Sequence, residues 1–221
     1  NAHLLISLEA CDAGVSPTHW QKSRHPAALQ DKIEVIFDGV DTAKVRPEPG
    51  RKITLPDGAA LSRDDEIITY VARNLEPYRG FPQLIRALPK ILEARPRATV
   101  MIVGGDEVSY GRPAPDEQTW RQHMLKEVPL DTMFPGRVHF TGKLPYEQYL
   151  ALLQVSSLHI YLTVPFVLSW SCLEAMAAGC LMLGSATPPV EEVIEHGVNG
   201  WLCDFNEPDD IAAKAIEMLA N

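Results

Sequence analysis

Two arginines six positions apart are the first residues in this chain with an evident chemical use. Arg73 closes the apolar run Ile67–Ala72, and Asn74-Leu75-Glu76-Pro77-Tyr78-Arg79-Gly80 leads from it into a helix-period segment. Two guanidinium groups at the carboxyl end of a strand suit a diphosphate, because each offers a planar fork of donors and a permanent charge. Gly80 would let backbone approach an anion closely, and the free N–H groups that open the helix would add to the field. The same spacing also fits a pair of surface arginines, one of them bonded to Glu76, and the pair alone leaves both readings open. A second candidate is Glu174, within Leu173-Glu174-Ala175-Met176-Ala177-Ala178-Gly179. Small residues along a helix that ends in Gly are ordinary sheet-packing material. A carboxylate among them, near the helix start, serves either a hydrogen-bonding partner such as a ligand hydroxyl or only the helix dipole.

The elements that must position these residues follow from periodicity. From about Glu66 onward, apolar runs of strand length (Ile67–Ala72, Thr99–Val103, Val138–Phe140, Leu158–Leu162, Leu181–Gly184) alternate with helix-period segments (Pro82–Ala94, Glu117–Glu127, Tyr146–Val155, Cys172–Ala178, Val190–Glu195). A short strand at Gly200–Cys203 and an amphipathic helix from Asp209 to Leu219 complete the series. Strands separated by helices at this spacing imply βαβ crossovers, and so an α/β fold with a doubly wound parallel, Rossmann-like sheet. Upstream, Leu4 to Phe37 reads as helix, short strand (Ala13–Val15), helix opened by Ser16-Pro17-Thr18, and strand Ile33–Phe37; Asp38-Gly39-Val40-Asp41 then turns the chain. Ile53-Thr54-Leu55, Pro56-Asp57-Gly58, Ala59-Ala60-Leu61 has the form of a hairpin. The expected division is therefore 1–41 as the end of a preceding domain with a hinge at Asp38–Asp41, 42–65 as a linker with a hairpin, and 66–221 as the α/β domain. The Gly/Pro-rich stretch Gly104–Asp116 follows a strand's carboxyl end, the edge at which open α/β sheets bind ligands.

Composition narrows the function classes. The chain has 221 residues and a net charge of −9, from 29 acidic and 20 basic residues, without a Lys/Arg cluster. Wrapping nucleic acid is disfavoured, since that affinity comes largely from many cationic phosphate contacts, whereas two cations and a helix N-terminus suffice for one diphosphate. The four cysteines show no CxxC pairing or zinc-ligand spacing and are expected as small core residues in a reducing cytosol. The seven histidines show no ligand spacing either, so no metal site is expected and His159 is read as structural. No apolar run reaches the roughly 18 residues of a membrane span. Asn1-Ala2-His3 reads as a start within a longer protein, with further chain expected before it. No Gly-x-Gly-x-x-Gly follows a strand with an acidic residue about 20 positions on, which disfavours a dinucleotide oxidoreductase.

Taken in order, Arg73, Arg79-Gly80, Val103-Gly104-Gly105, Phe140-Thr141-Gly142, Leu173-Glu174-Ala175-Met176-Ala177-Ala178-Gly179, Glu191-Glu192-Val193-Ile194 and Gly197-Val198-Asn199-Gly200-Trp201-Leu202 form a series. It resembles the C-terminal, donor-binding domain of family 4 retaining glycosyltransferases of GT-B fold, over residues 66–221. Asp12 to Thr18 and Val35 to Asp41 look like that family's domain junction. The resemblance implies a sugar transferred, with retention, from a nucleoside-diphosphate sugar to an acceptor glycan or small molecule, the acceptor being bound by an N-terminal domain outside this chain. It implies Arg73 on the donor diphosphate, Arg79 in place of the usual Lys before Gly, and Glu174 on the ribose hydroxyls. Gly104, Thr141, Gly142, Lys143 and Leu144 would line the donor site, the last two offering backbone atoms and an apolar surface to the base. It further implies no cofactor, a cytoplasmic location, and peripheral membrane contact only through the missing domain.

One position departs from the family. Eight residues before Glu174 stands Phe166, where the family carries a Glu that reaches the donor sugar, and the run is Pro165-Phe166-Val167-Leu168-Ser169-Trp170-Ser171. No Asp or Glu occurs from Val155 to Leu173 to suggest a slipped alignment. Either Ser169, Ser171 and the backbone of Phe166, Val167 and Leu168 hold the sugar instead, or transferase activity has been lost; the intact remainder of the series favours the first. A non-catalytic partner domain of the same fold and a nucleotide-sugar 2-epimerase are the alternatives, the latter without identifiable acid/base carboxylates. Trp120, Trp170 and Trp201 are read as packing residues. Asp106 and Glu107 are open between a ligand contact and a solvated loop.

Overall fold

The computed structural model describes residues 2–55 and 58–220, so the turn expected at Pro56-Asp57-Gly58 falls partly outside the described residues. The chain opens with α1 (Ala2–Ala10), β1 (Gly14–Ser16), α2 (His19–Ser23), α3 (Ala27–Gln30) and β2 (Ile33–Val35). β1 and β2 pair in parallel, Gly14 opposite Ile33. β2 ends two residues before the expected Phe37, because β1 provides three partner positions and pairing stops where they do. β3 (Lys52–Thr54) and β4 (Ala60–Ser62) form an antiparallel hairpin.

The α/β unit then runs β5 (Ile67–Asn74), α4 (Phe81–Ala94), β6 (Thr99–Gly105), α5 (Trp120–Glu127), α6 (Leu130–Met133), β7 (Val138–Gly142), α7 (Tyr146–Val155), β8 (Leu158–Tyr161), α8 (Trp170–Ala177), β9 (Leu181–Ser185), α9 (Pro188–Glu191), β10 (Trp201–Cys203) and α10 (Pro208–Ala220). Its six strands are all parallel, in the order β10-β9-β8-β5-β6-β7. The fold is thus the doubly wound α/β sheet that the alternation implies. The order reverses between β5 and β8, and the crevice outside the carboxyl ends of those two strands is where such sheets bind ligands.

Period-2 burial explains why the strands read as nearly continuous apolar runs. Ile68, Tyr70 and Ala72 of β5 pack with α4 and α10, while Ile67 and Val71 face the opposite layer, where α7, α8 and the β3–β4 hairpin lie. α4 buries Phe81, Leu84, Ile85, Leu88, Ile91 and Leu92, an i, i+3, i+4 stripe wide enough to cover the sheet centre.

Three helices start or stop elsewhere than periodicity suggests, each for a local reason. α5 begins at Trp120 rather than Glu117, because Thr119 and Gln122 form a reciprocal capping box (Gln122 N to Thr119 Oγ1 3.1 Å, Thr119 N to Gln122 Oε1 3.0 Å). α8 begins at Trp170, capped by Ser169. α9 stops at Glu191, and the following turn is held by Asn199, which accepts from Glu195 N at 2.8 Å and donates to Val193 O at 2.9 Å.

His159 is structural, as expected. It is fully buried in β8, its Nδ1 2.8 Å from Thr69 Oγ1, which in turn lies 2.7 Å from Ser156 Oγ. Burial pushes its pKa down to about 3. The unfolded chain takes up a proton at this residue below about pH 6.5 and the folded chain does not. This residue therefore withdraws about 1.4 kcal/mol of stability per pH unit as pH falls from about 6.5 toward 3, and nothing further below. Urea melts of wild type and His159→Gln between pH 7 and 4 should differ in this slope, wild type falling more steeply; parallel slopes would rule the account out.

Candidate functional site

A cleft of about 380 Å³ lies in the crevice between β5 and β8, and Arg73, Arg79, Val167, Leu168, Ser169, Ser171 and Glu174 all line it. Residues nearly a hundred positions apart meet there because the loop after β5 and the loop after β8 diverge from adjacent strands. The two arginines are placed very differently. Arg73 is exposed, and its guanidinium has no hydrogen-bond or ion-pair partner among the described residues. Arg79 is only 8% exposed. Its Nη1 donates to Tyr161 Oη, Thr163 Oγ1 and Val167 O, each at 3.1 Å, and its guanidinium lies 5.3 Å from the centre of the Phe166 ring. Its carbonyl accepts from Tyr70 Oη at 2.6 Å. Nε and Nη2 keep their donors free of partners among the described residues, and these are the groups available to an anion.

Neither arginine is bonded to Glu76. That carboxylate is fully buried and accepts instead from Tyr110 N (3.1 Å) and Gly111 N (2.9 Å), while its Oε1 has no partner among the described residues. Glu76 thereby pins the loop after β6 so that Tyr110 joins the cleft wall. Gly80 stands where packing leaves no room for a side chain. It adopts φ +70°, and a Cβ there would fall 2.5 Å from Leu162 Cβ.

Glu174 sits where the cleft opens into a second chamber of about 460 Å³, bounded by Asp38, Gly39, Val40 and Asp41 on one side and Tyr146, Tyr149 and Trp170 on the other. Both its oxygens are engaged: Oε1 by Tyr146 Oη at 2.9 Å and Oε2 by Tyr149 Oη at 2.7 Å. Trp170 is 62% exposed, with its Nε1 donating to Asp38 Oδ2 at 2.6 Å. The expectation of a packing role is therefore corrected for Trp170; its position at the first turn of α8 turns the ring out over the cleft mouth. Trp120 and Trp201 do pack on the core, and three of the four cysteines are buried, Cys11 being partly exposed.

The remaining candidates divide. Ser169 and Ser171 share a hydrogen bond of 2.7 Å between hydroxyls, and Ser169 N donates to Tyr161 Oη at 2.9 Å, so the pair both caps α8 and faces the cleft. Phe166 packs edge-on against Tyr110 (4.9 Å) and Tyr78 (5.9 Å), an aromatic cluster in the place of a carboxylate. Gly104 is buried against Leu75, and a Cβ would approach it to 2.8 Å. Thr141 and Leu144 line a separate groove of about 560 Å³ between the hairpin and α7. Gly142 takes φ +67° at the end of β7. Lys143 pairs with Glu107 at 2.8 Å, and that contact holds the Glu107 carboxyl below its ordinary range. Asp106 pairs with Arg121 at 2.9 Å.

Tyr110, Tyr146 and Tyr149 do not stand out in the sequence, where Asp38 figures as part of the expected turn and hinge and not as a site residue. Only the i, i+3 spacing of Tyr146 and Tyr149 at the start of α7 carries a signal, and it indicates a shared face without saying what lies opposite.

The family described as glycosyl transferases group 1 matches residues 54–221, and the glycosyl transferase family 4 group matches residues 1–45. An uncharacterized glycosyltransferase of Methanocaldococcus jannaschii is 28% identical over 186 residues, covering 83% of this chain and 44% of that protein. The D-inositol 3-phosphate glycosyltransferase of Streptomyces coelicolor is 26% identical over 199 residues, covering 84% of this chain and 42% of that protein. This chain therefore spans less than half the length of either relative. Anabaena HepE, solved with UDP and glucose, superposes with a TM-score of 0.76 at 17% identity over 100% of this chain and 56% of its own.

Proposed function

The chain belongs to the group 1 glycosyl transferases, and on that premise we propose that it forms the donor-binding part of a transferase that moves a hexose from a nucleoside-diphosphate sugar to an acceptor. The observation that carries this reading is the guanidinium of Arg73, partnerless among the described residues, in a switch-point cleft that Arg79 and Glu174 also line. Breaking the anomeric C–O bond leaves growing charge on the diphosphate, and two cations in the cleft, Arg79 held in place and Arg73 free to reach the ligand, stabilise that charge as it develops. They fill the role a divalent ion would otherwise take, so the reaction proposed needs neither metal nor cofactor. Ser169, Ser171 and nearby amides would hold the sugar, with Glu174 on the ribose. HepE is described with UDP and glucose, the two parts of a donor of the class this reading takes. Retention of anomeric configuration, a cytoplasmic location, and an acceptor glycan or small molecule bound by a further domain, through which any membrane contact would run, are carried over from the family resemblance. No helix among the described residues is long and apolar enough to cross a membrane.

Calorimetry with UDP-, GDP- and ADP-sugars tests the reading. One class should bind, and Arg73→Ala should weaken it about tenfold to a hundredfold, the worth of one or two charge-assisted hydrogen bonds. Its melting temperature should stay at the wild-type value, because an exposed side chain without partners stabilises little. Absence of binding to all three, with Arg73→Ala indistinguishable from wild type, would reject it. The Phe166 cluster supports one second reading, a donor-binding partner without catalytic activity. Full-length protein that transfers or hydrolyses donor, and stops doing so as Glu174→Ala, would exclude that reading.

A further inference from the structure

We propose that Tyr146 and Tyr149 are positioning residues that fix the Glu174 carboxylate so that it reads the paired 2′ and 3′ hydroxyls of a ribonucleotide. The inference rests on reading the cleft as a nucleoside-diphosphate site and adds the device that sets its selectivity for the sugar of the nucleoside.

The two tyrosines stand three residues apart on the first turn of α7 and so share a face. Their hydroxyls reach opposite oxygens of one carboxylate, Tyr146 to Oε1 at 2.9 Å and Tyr149 to Oε2 at 2.7 Å. Two such bonds from one side determine both the position and the plane of the carboxylate, which a single bond would leave free to turn. A carboxylate oxygen accepts two hydrogen bonds, so each oxygen retains one vacant acceptor direction. Glu174 lines the cleft and the second chamber at once, so its carboxylate borders the space a ligand would occupy. A vicinal diol supplies two O–H donors from adjacent carbons and can bond both oxygens together; a 2′-deoxy sugar can bond one.

Both phenols are held as donors. Burial, reinforced by the hydrogen bond to Glu174, pushes the Tyr146 hydroxyl up to about 12 and that of Tyr149 further above its ordinary range. Neither loses its proton near neutral pH. The Tyr146 ring is itself held from outside, with the Lys44 ammonium 4.7 Å from its centre and paired with Glu147 at 3.3 Å. The depth of the two differs: Tyr146 is 41% exposed, whereas Tyr149 packs with the core beneath α8. Removing the Tyr149 hydroxyl therefore frees the carboxylate at its buried anchor, and removing that of Tyr146 frees it at its exposed one.

The experiment compares UDP, GDP and ADP with dUDP, dGDP and dADP by calorimetry on the intact chain, for wild type, Tyr149→Phe, Tyr146→Phe and Arg73→Ala. Wild type should prefer the ribose form of whichever nucleotide it binds. Tyr149→Phe should lower the ribose-to-deoxyribose affinity ratio about threefold to tenfold, as expected for roughly 1 kcal/mol of lost alignment. Tyr146→Phe, at an exposed position that tolerates the change, should lower the ratio in the same direction. Arg73→Ala should weaken both forms equally and leave the ratio at its wild-type value. A purely structural role for the phenols would shift the melting temperature without moving the ratio. Wild-type ratios in both tyrosine variants, or a wild type that binds both forms equally, would overturn the inference while leaving the cleft a nucleotide site. A wild type that binds none of the six would overturn the site assignment and the inference with it.

Discussion

Arg79→Ala is expected to lose both nucleotide binding and stability, and this double loss separates it from Arg73→Ala. Nη1 of Arg79 ties together Tyr161, Thr163 and Val167, all from the end of β8 and the loop beyond it, while the residue itself lies in the loop after β5. Hydrogen bonds to a buried charged donor contribute about 1.5–3 kcal/mol each and are not additive, so a loss of about 2–4 kcal/mol is expected for the three with the Phe166 contact. Burial at 8% exposure means this figure is not dissolved by solvent screening, as it would be for a surface pair. Without the tie the two walls of the cleft are free to separate, and affinity for a nucleoside diphosphate should fall by at least about a hundredfold, beyond the effect of charge alone. Arg79→Lys keeps the charge but has neither the planar fork nor the reach to several partners in fixed directions, and should recover part of the binding and less of the stability. Urea melts together with calorimetry on the three proteins check this. If Arg79→Ala unfolded at the wild-type urea concentration and bound as wild type, the arginine would be neither tie nor ligand.

Gly80→Ala is expected to be nearly as damaging, although it removes nothing. Gly80 joins the turn at Pro77–Arg79 to α4 with φ +70°, where an L side chain costs about 1–2 kcal/mol. A Cβ there would stand 2.5 Å from Leu162 Cβ and 3.1 Å from Phe205, and overpacking a core costs about 1–3 kcal/mol more. A total of roughly 2–5 kcal/mol corresponds to a melting temperature lower by about 4–20 °C for a chain of this size. Because relief of the clash must move the backbone next to Arg79, nucleotide affinity should fall as well. Gly136→Ala is the control, since Gly136 has φ +73° but a Cβ added to it would meet no described atom within 4 Å, and it should lose about 1–2 kcal/mol from the backbone alone. Equal melting temperatures for the two variants would remove the steric part of the account.

The contrast between these glycines marks the boundary of what a linear reading reaches. The alternation from Ile67 onward is legible because burial on both faces makes a parallel strand an unbroken apolar run, and a covering helix repeats every three to four residues. β5, α4, α7 and α10 accordingly lie within one or two residues of where periodicity puts them. Ends set by side-chain caps, as at Thr119 and Ser169, are less legible, because a cap is decided by one hydrogen bond rather than by a repeat. Arg73, Arg79 and Glu174 stand out by type and by position at strand and helix ends, and the fold gathers them in one cleft at the point where strand order reverses.

What the sequence by itself determined, then, is the order of elements, the parallel sheet, and the three polar residues at its carboxyl edge. Tertiary structure alone decided how each is used. It made Arg79 a buried tie and left Arg73 free, gave Glu174 two phenols 28 and 25 positions away, and turned Trp170 outward to Asp38, 132 positions upstream. It also set Thr141 and Leu144 in a groove with the hairpin instead of in the cleft. The reason is physical: spacing along a helix or strand fixes the direction in which a side chain leaves its own element, while its partner is fixed by which element folds against that face.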